Sequence, residues 1–188
     1  MLIFPGKKAN THKGLIEQTI LEKYNHYYRL ACSYTHNEDA AKDIVQNGAY
    51  KALRNHHTLK DPQFAETWLY RIMLNECFQY MRQPKHISYE SILEDGGAEL
   101  GSTEDTYANI DLQKAIDMLP EKDKAIVTLK YFEDKKLEEI SAILGENTNT
   151  VKSRLYRSMK KLRSALEDGS AQSNDGQHTG KAGEKNDL

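Results

Sequence analysis

Apolar residues recur along this chain at helical rather than strand spacing. Ile16, Ile20, Tyr24, Tyr27 and Ala31 follow one another at steps of four, four, three and four, which lines one face of an α-helix. A turn at THNED comes next, where Asn37 suits a helix cap and Glu38 and Asp39 suit the positive helix end. The helix this opens runs to about Arg54, with Ala41, Ile44, Val45 and Ala52 inward. Gly48 inside it costs about 1 kcal/mol relative to Ala, which a close helix crossing would explain. After the loop NHHTLKDPQ, a third helix is expected from about Ala65 to Arg82, ended by Pro84. Leu69, Met73, Cys77 and Tyr80 form its apolar stripe, and Trp68 beside them reads as core. Arg71, Asn75, Gln79 and Arg82 form a polar stripe about 200° around the same helix.

Residues 85–109 lose this periodicity and read as an acidic flexible linker. It resumes at Ile110, and Pro120 is placed as the first residue of a helix carrying Ala125, Ile126, Leu129 and Phe132. A short helix follows over LEEISAILG, 137–145, where Gly145 suits a left-handed C-terminal turn and Ser141 a close crossing. Asn147 then caps a last helix with the apolar stripe Val151, Leu155, Met159, Leu162 and Leu166. Thr150, Ser153, Arg157 and Lys160 project opposite, with Lys152 and Arg154 on the flanks. The expected fold class is all-α: two small helical domains, 15–84 and 110–168, between an N-terminal tail over 1–14 and a disordered tail over 169–188.

Charge sharpens this. The 188 residues carry a net charge of only −2, but residues 88–111 hold seven acidic and no basic residues, while 151–164 hold six basic and no acidic ones. Binding to nucleic acid would rest on this segregation. Two helices joined by a short Gly-containing turn, the second basic on its outer side, form the helix-turn-helix pattern. One such helix fits the major groove, its first residues reaching base edges and its later cations the phosphates. The outward set Asn149, Thr150, Lys152, Ser153, Arg154, Arg157 and Lys160 is where duplex DNA is expected.

Other chemistry finds little footing. Cys32 and Cys77 lack ligand spacing and read as buried thiols, and no phosphate-binding, nucleophile-elbow or zinc-protease motif occurs. The expectation is therefore no enzyme, no cofactor and no metal. Without an apolar leader or a run approaching 18 apolar residues, the expected location is the cytoplasm, with no membrane insertion.

Two blocks resemble a known family. EDAAKDIVQNGAYKAL and TWLYRIMLNECFQYMR are similar to region 2 of bacterial sigma-70 factors, and LPEKDKAIVTLKYFEDKKLEEISAILGENTNTVKSRLYRSMKKLR is similar to region 4. The lack of other regions resembles the extracytoplasmic-function (ECF) branch. That resemblance implies a sigma factor that binds core RNA polymerase and directs promoter-specific initiation at minus-35 and minus-10 elements. Asp43, Ile44 and Gln46 match a D-x-V-Q stretch that contacts polymerase, with Asn47 in place of the usual acidic residue after it. Arg71 and Asn75 fall on the minus-10 helix, extended by Gln79 and Arg82, and His57, Lys60 and Phe64 fall in the loop that holds a flipped base. Further departures are Gly48 and Ala49 at usually bulkier positions, Gln79 for a frequent Asp, and Glu146 at a turn position that is usually apolar. The family also implies an anti-sigma factor as partner. The linker's twenty-five residues could span about 80 Å at ~3.3 Å each, bridging two promoter elements. Two other readings stand beside this one: a helix-turn-helix regulator binding duplex DNA without polymerase, and an all-helical interaction protein whose basic helix docks on an acidic partner.

Overall fold

A computed structural model of the chain describes residues 12–83 and 104–173, with side chains described over 12–83 and 111–167. Among the described residues there are seven α-helices and no strand: α1 (His12–Thr35), α2 (Glu38–Arg54), α3 (Ala65–Met81), α4 (Glu104–Asp117), α5 (Glu121–Tyr131), α6 (Leu137–Leu144) and α7 (Thr148–Ser173). Two 3-10 turns, His56–Thr58 and Pro62–Phe64, join α2 to α3.

Helices α1, α2 and α3 pack on one another as a bundle. Ile16, Tyr27, Leu30, Leu69 and Met73 are fully buried between them. Asn37 caps α2, its side chain accepting from the Ala40 amide at 2.9 Å. Gly48 is buried where α2 meets α3: a Cβ there would lie 2.4 Å from Met73 Sδ. The bulk missing at this position is thus supplied by Met73 from the facing helix. Tyr24, expected inward, is exposed instead and stacks on Tyr28 with ring centroids 6.2 Å apart. At the steps taken by α1, Tyr27 fills the inner position and Tyr24 falls on its outer edge.

The second group, α4 to α7, contains the helix-turn-helix as α6 and α7. Gly145 takes φ 66° as the left-handed end of α6, a conformation costly to a residue bearing a Cβ. Asn147 caps α7, its side chain accepting from the Asn149 amide at 2.8 Å. In α7 the buried row is Val151, Ser158 and Leu162 with half-buried Leu155. Met159, expected in that row, is 38% exposed, and Leu166 is exposed too. Ser158 occupies the inner position because it is small and self-satisfying: its hydroxyl donates to the Arg154 carbonyl at 2.9 Å.

Three boundaries differ from expectation. Helix α4 begins at Glu104, inside the stretch read as linker, and α7 continues to Ser173, past the expected start of the disordered tail. Pro120 immediately precedes α5 rather than opening it, its carbonyl accepting from the Lys124 amide at 2.9 Å. The remainder of the linker, residues 84–103, most of the N-terminal tail, residues 1–11, and residues 174–188 lie outside the described residues.

Helix α5 shows how the two groups are arranged. Every residue from Asp123 to Leu129 is buried, more than one amphipathic face provides, because α7 covers one side and α1 approaches another. Ala125, Ile126, Leu129, Ile140 and Ile143 belong to the same buried cluster as Ile16, Tyr27 and Tyr70. The two groups read as separate domains therefore share one core in this structure. Phe132, expected inward, is 52% exposed beyond the end of α5.

Candidate nucleic-acid interface

On α7 the outward row forms as its spacing requires. Asn149, Thr150, Lys152, Ser153, Arg157 and Lys160 are all exposed, opposite the buried Val151 and Leu162. Lys161, one turn beyond Arg157, is exposed on the same face; the step of four from Arg157 would have found it. The Ser153 hydroxyl donates to the Thr150 carbonyl at 2.9 Å, and Arg157 leans back to the Ser153 carbonyl at 3.4 Å.

Arg154 is placed differently. Its Nη1 donates to Asp123 Oδ1 at 2.7 Å, and its Nε lies 3.3 Å from Glu146 Oε2. Lys122 reaches the other Glu146 oxygen at 2.7 Å. These contacts hold the Arg154 guanidinium above its ordinary value, the bond to Asp123 contributing most. Glu146 thereby ties the turn between α6 and α7 to α5 with charge, where an apolar residue would do so by burial. Asp123 carries no signal in the sequence and Glu146 only its departure from the usual apolar turn residue, because an ion pair across helices has no period.

In the first bundle, Arg71, Asn75, Gln79 and Arg82 are exposed along α3 as one stripe. Three of the four have partners. Arg71 Nε donates to the Ile143 carbonyl at 3.1 Å and Nη2 to the Ala142 carbonyl at 2.6 Å, at the C-terminal end of α6. Arg82 pairs with Glu121 at 3.0 Å, and Gln79 accepts from Lys51 at 3.3 Å. The loop before α3 holds His57, Lys60 and Phe64 outward, with Phe64 52% exposed. It is pinned from beneath by buried Leu59, and Asp61 accepts from the Gln63 amide at 3.0 Å. An exposed aromatic beside two basic residues is the equipment for stacking an unpaired base. Trp68 is half-buried against the core, as expected.

On α2, Asp43, Gln46 and Asn47 are exposed on a common face, whereas Ile44 is buried at 5% exposure and belongs to the bundle core. Tyr50, one turn past Gln46 and Asn47, is 63% exposed on the same face. The seven-residue step from Asp43 places it there, beyond the D-x-V-Q stretch.

Among the described residues no group of three or more His, Cys, Asp or Glu side chains could hold a metal ion. Both cysteines are free thiols. Burial pushes the Cys77 thiol up to about 12, and burial also raises Cys32, against a hydrogen bond from Tyr28 that lowers it.

Comparison with known proteins agrees with this layout. The sigma-70 region 2 family matches residues 20–86, and the family described as sigma-70, region 4 matches residues 109–162. RNA polymerase sigma factor SigV of Bacillus subtilis is 43% identical over 162 residues, spanning 85% of this chain and 96% of that protein. ECF RNA polymerase sigma factor SigE of Mycolicibacterium smegmatis is 32% identical over 157 residues, 80% of this chain and 61% of that one. Among solved structures, the sigma factor RpoE of Bartonella quintana, in complex with the anti-sigma factor NepR, superposes with a TM-score of 0.60 at 26% identity, covering 80% of this chain and 96% of that one. Both reading regions occur in the order the sequence suggested, and nothing favours a regulator that works without polymerase. The chain belongs to the sigma-70 family, in its ECF branch: it is an RNA polymerase sigma factor that binds core polymerase and promoter DNA and directs transcription initiation.

Proposed function

We propose a division of this activity among three faces. The minus-35 element is read by α7 through Asn149, Thr150, Lys152, Ser153, Arg157 and Lys160, with Lys161 adding a phosphate contact. Arg154 acts there as a brace, since Asp123 and Glu146 already hold its guanidinium. The minus-10 strand is met by Arg71, Asn75, Gln79 and Arg82 on α3, and one unpaired base is held in the loop of His57, Lys60 and Phe64. Core polymerase is gripped by Asp43, Gln46, Asn47 and Tyr50 on α2, with Ile44 fixing that helix from within. The chain has no catalytic centre of its own and works in the cytoplasm beside the polymerase. Among the described residues, no helix is long and apolar enough to cross a membrane. An inhibitor of the anti-sigma class is a further partner, supported by the relative solved with one.

The observation that carries this reading is the polar outward row of α7 standing opposite its buried row. The experiment is a gel-shift series on promoter DNA. The chain alone should bind weakly, and specifically once core polymerase is added. Tight, sequence-specific binding without core would overturn the division proposed here.

A further inference from the structure

Glu146 stands where α5, α6 and α7 come together. Its amide donates to the Ser141 carbonyl in the last turn of α6 at 3.1 Å, next to the left-handed Gly145. Its side chain is only 11% exposed. Oε1 accepts from Lys122 Nζ on α5 at 2.7 Å, and Oε2 lies 3.3 Å from Arg154 Nε on α7. Arg154 is in turn held to Asp123 of α5 at 2.7 Å. Attraction between charges at this depth is screened less than at an open surface. Along α7 these contacts bracket the residues placed to read bases. Glu146 precedes Asn149 by three residues and Arg154 follows Ser153 directly. The stretch carrying Asn149, Thr150, Lys152 and Ser153 outward is therefore gripped at both of its ends.

We infer that Glu146 is a positioning residue for promoter reading: as the hub between Lys122 and Arg154 it fixes the angle at which α7 presents Asn149, Thr150, Lys152 and Ser153 to base edges, and so sets minus-35 specificity without touching DNA. The inference rests on the assignment of α7 to the minus-35 element made above. The apolar row of Val151, Leu155 and Leu162 holds α7 against its neighbours, but burial is non-directional. It permits small rotations that a hydrogen-bonded charge resists. Reading a base edge is directional too. A well-placed pair of bonds to one base is worth roughly tenfold or more in discrimination, and it is lost when the groups that make it are held more loosely than about 0.5 Å or roughly 10–20°. Charge makes the sign of the effect diagnostic. A carboxylate beside a DNA-binding helix repels phosphates, so by its field alone Glu146 weakens binding to every duplex alike, and its removal would tighten them all. As the hub it does the reverse, and for the correct sequence only.

The test uses holoenzyme assembled from the full chain and core polymerase, on a duplex promoter that the parent holoenzyme transcribes, with its minus-35 element intact or scrambled. The ratio of the two affinities measures reading by α7. Glu146→Leu should lower that ratio about tenfold, while binding to the scrambled duplex stays level or tightens. Glu146→Gln keeps the shape of the side chain and an acceptor for Lys122 but not the charge facing Arg154, and should lose several-fold less. Should the Leu variant not fold, as a melting curve shows, the Gln variant carries the test and must still lower the ratio. A ratio unchanged by substitution overturns the inference. Equal tightening on both duplexes overturns it as well, since that is the result of a bare repulsive charge, and so does a loss as large for Gln as for Leu. Arg157→Ala judges the underlying assignment separately. A ratio lowered by Arg157→Ala but not by Glu146→Leu removes the positioning role alone, whereas a ratio unchanged by both removes the assignment of α7 to the minus-35 element with it.

Discussion

Arg154 Nη1 donates to Asp123 Oδ1 at 2.7 Å, across the step from α7 to α5. Asp123 is buried, so removing the guanidinium leaves a carboxylate without its partner. Arg154→Ala should destabilise the fold by about 1 to 3 kcal/mol and lower the thermal midpoint. Arg157→Ala, one turn of helix away and exposed, should leave the midpoint unchanged. It should weaken duplex promoter binding and reduce the salt dependence by about one ionic contact. Melting curves and salt titrations on both variants separate a brace from a reader, and equal melting losses would refute the distinction.

Tyr50 and Gln46 share the exposed face of α2. Large exposed aromatics at interfaces often carry over 2 kcal/mol, so Tyr50→Ala should reduce core affinity at least tenfold without altering the helical content of the chain. Gln46→Ala should also weaken core binding first, whereas Arg157→Ala should leave it nearly untouched. A pull-down of core polymerase by each variant is the measurement, and equal losses for Gln46 and Arg157 would contradict the division of labour.

Gly48 sits where a Cβ would meet Met73 Sδ at 2.4 Å and Met73 Cε at 3.1 Å. The thioether is the flexible part of its side chain, and Ala is favoured over Gly in a helix by about 1 kcal/mol. Gly48→Ala should therefore change stability by less than about 1 kcal/mol as the two effects oppose. Gly48→Leu has no such accommodation and should cost about 1 to 3 kcal/mol by overpacking, visible in urea unfolding. A Leu variant as stable as the parent would show that α2 and α3 are not in close contact here.

Acid should loosen the packing between the two helical groups. Burial works to raise Glu66 and Asp117, but Lys135 beside Glu66, and His36 and Lys124 beside Asp117, outweigh it and hold both carboxyls below their ordinary values. A carboxyl depressed in the folded state adds stability above its unfolded value, near 4, and loses it as pH falls through the folded value. The thermal midpoint should drop between about pH 5 and 3, and Glu66→Gln with Asp117→Asn should make that drop shallower. An identical acid profile for the double variant would exclude these two groups as its source.

The thiols should differ in reach. Cys77 is fully buried and its thiol is raised to about 12, whereas Cys32 is only half-buried. A thiol reagent at neutral pH should modify Cys32 slowly and Cys77 only on unfolding, as read by peptide mass mapping. Rapid labelling of Cys77 in the folded chain would mean that the bundle opens locally.

The sequence by itself determined what is local. The cap at Asn37, the left-handed end at Gly145, the cap at Asn147 and the outward row from Asn149 to Lys160 each depend on residues within about two turns of one another, so periodicity and turn chemistry were enough to find them. The family blocks, with Asp43 and Gln46 outside and Arg71 on α3, were legible for the same reason. Where local pattern misled, a neighbour from elsewhere decided: Ser158 displaced Met159 from the inner row of α7, and Tyr24 gave way to Tyr27. Only the tertiary structure showed that Arg154 braces the turn, that Tyr70 meets Glu133 across 63 positions, and that Arg71 is held by the end of α6. Hydrogen bonds between distant polar groups leave no period in a chain. They exist only once the apolar faces of α1, α3, α5 and α6 have been brought together, because that shared burial is what holds the distant partners within reach.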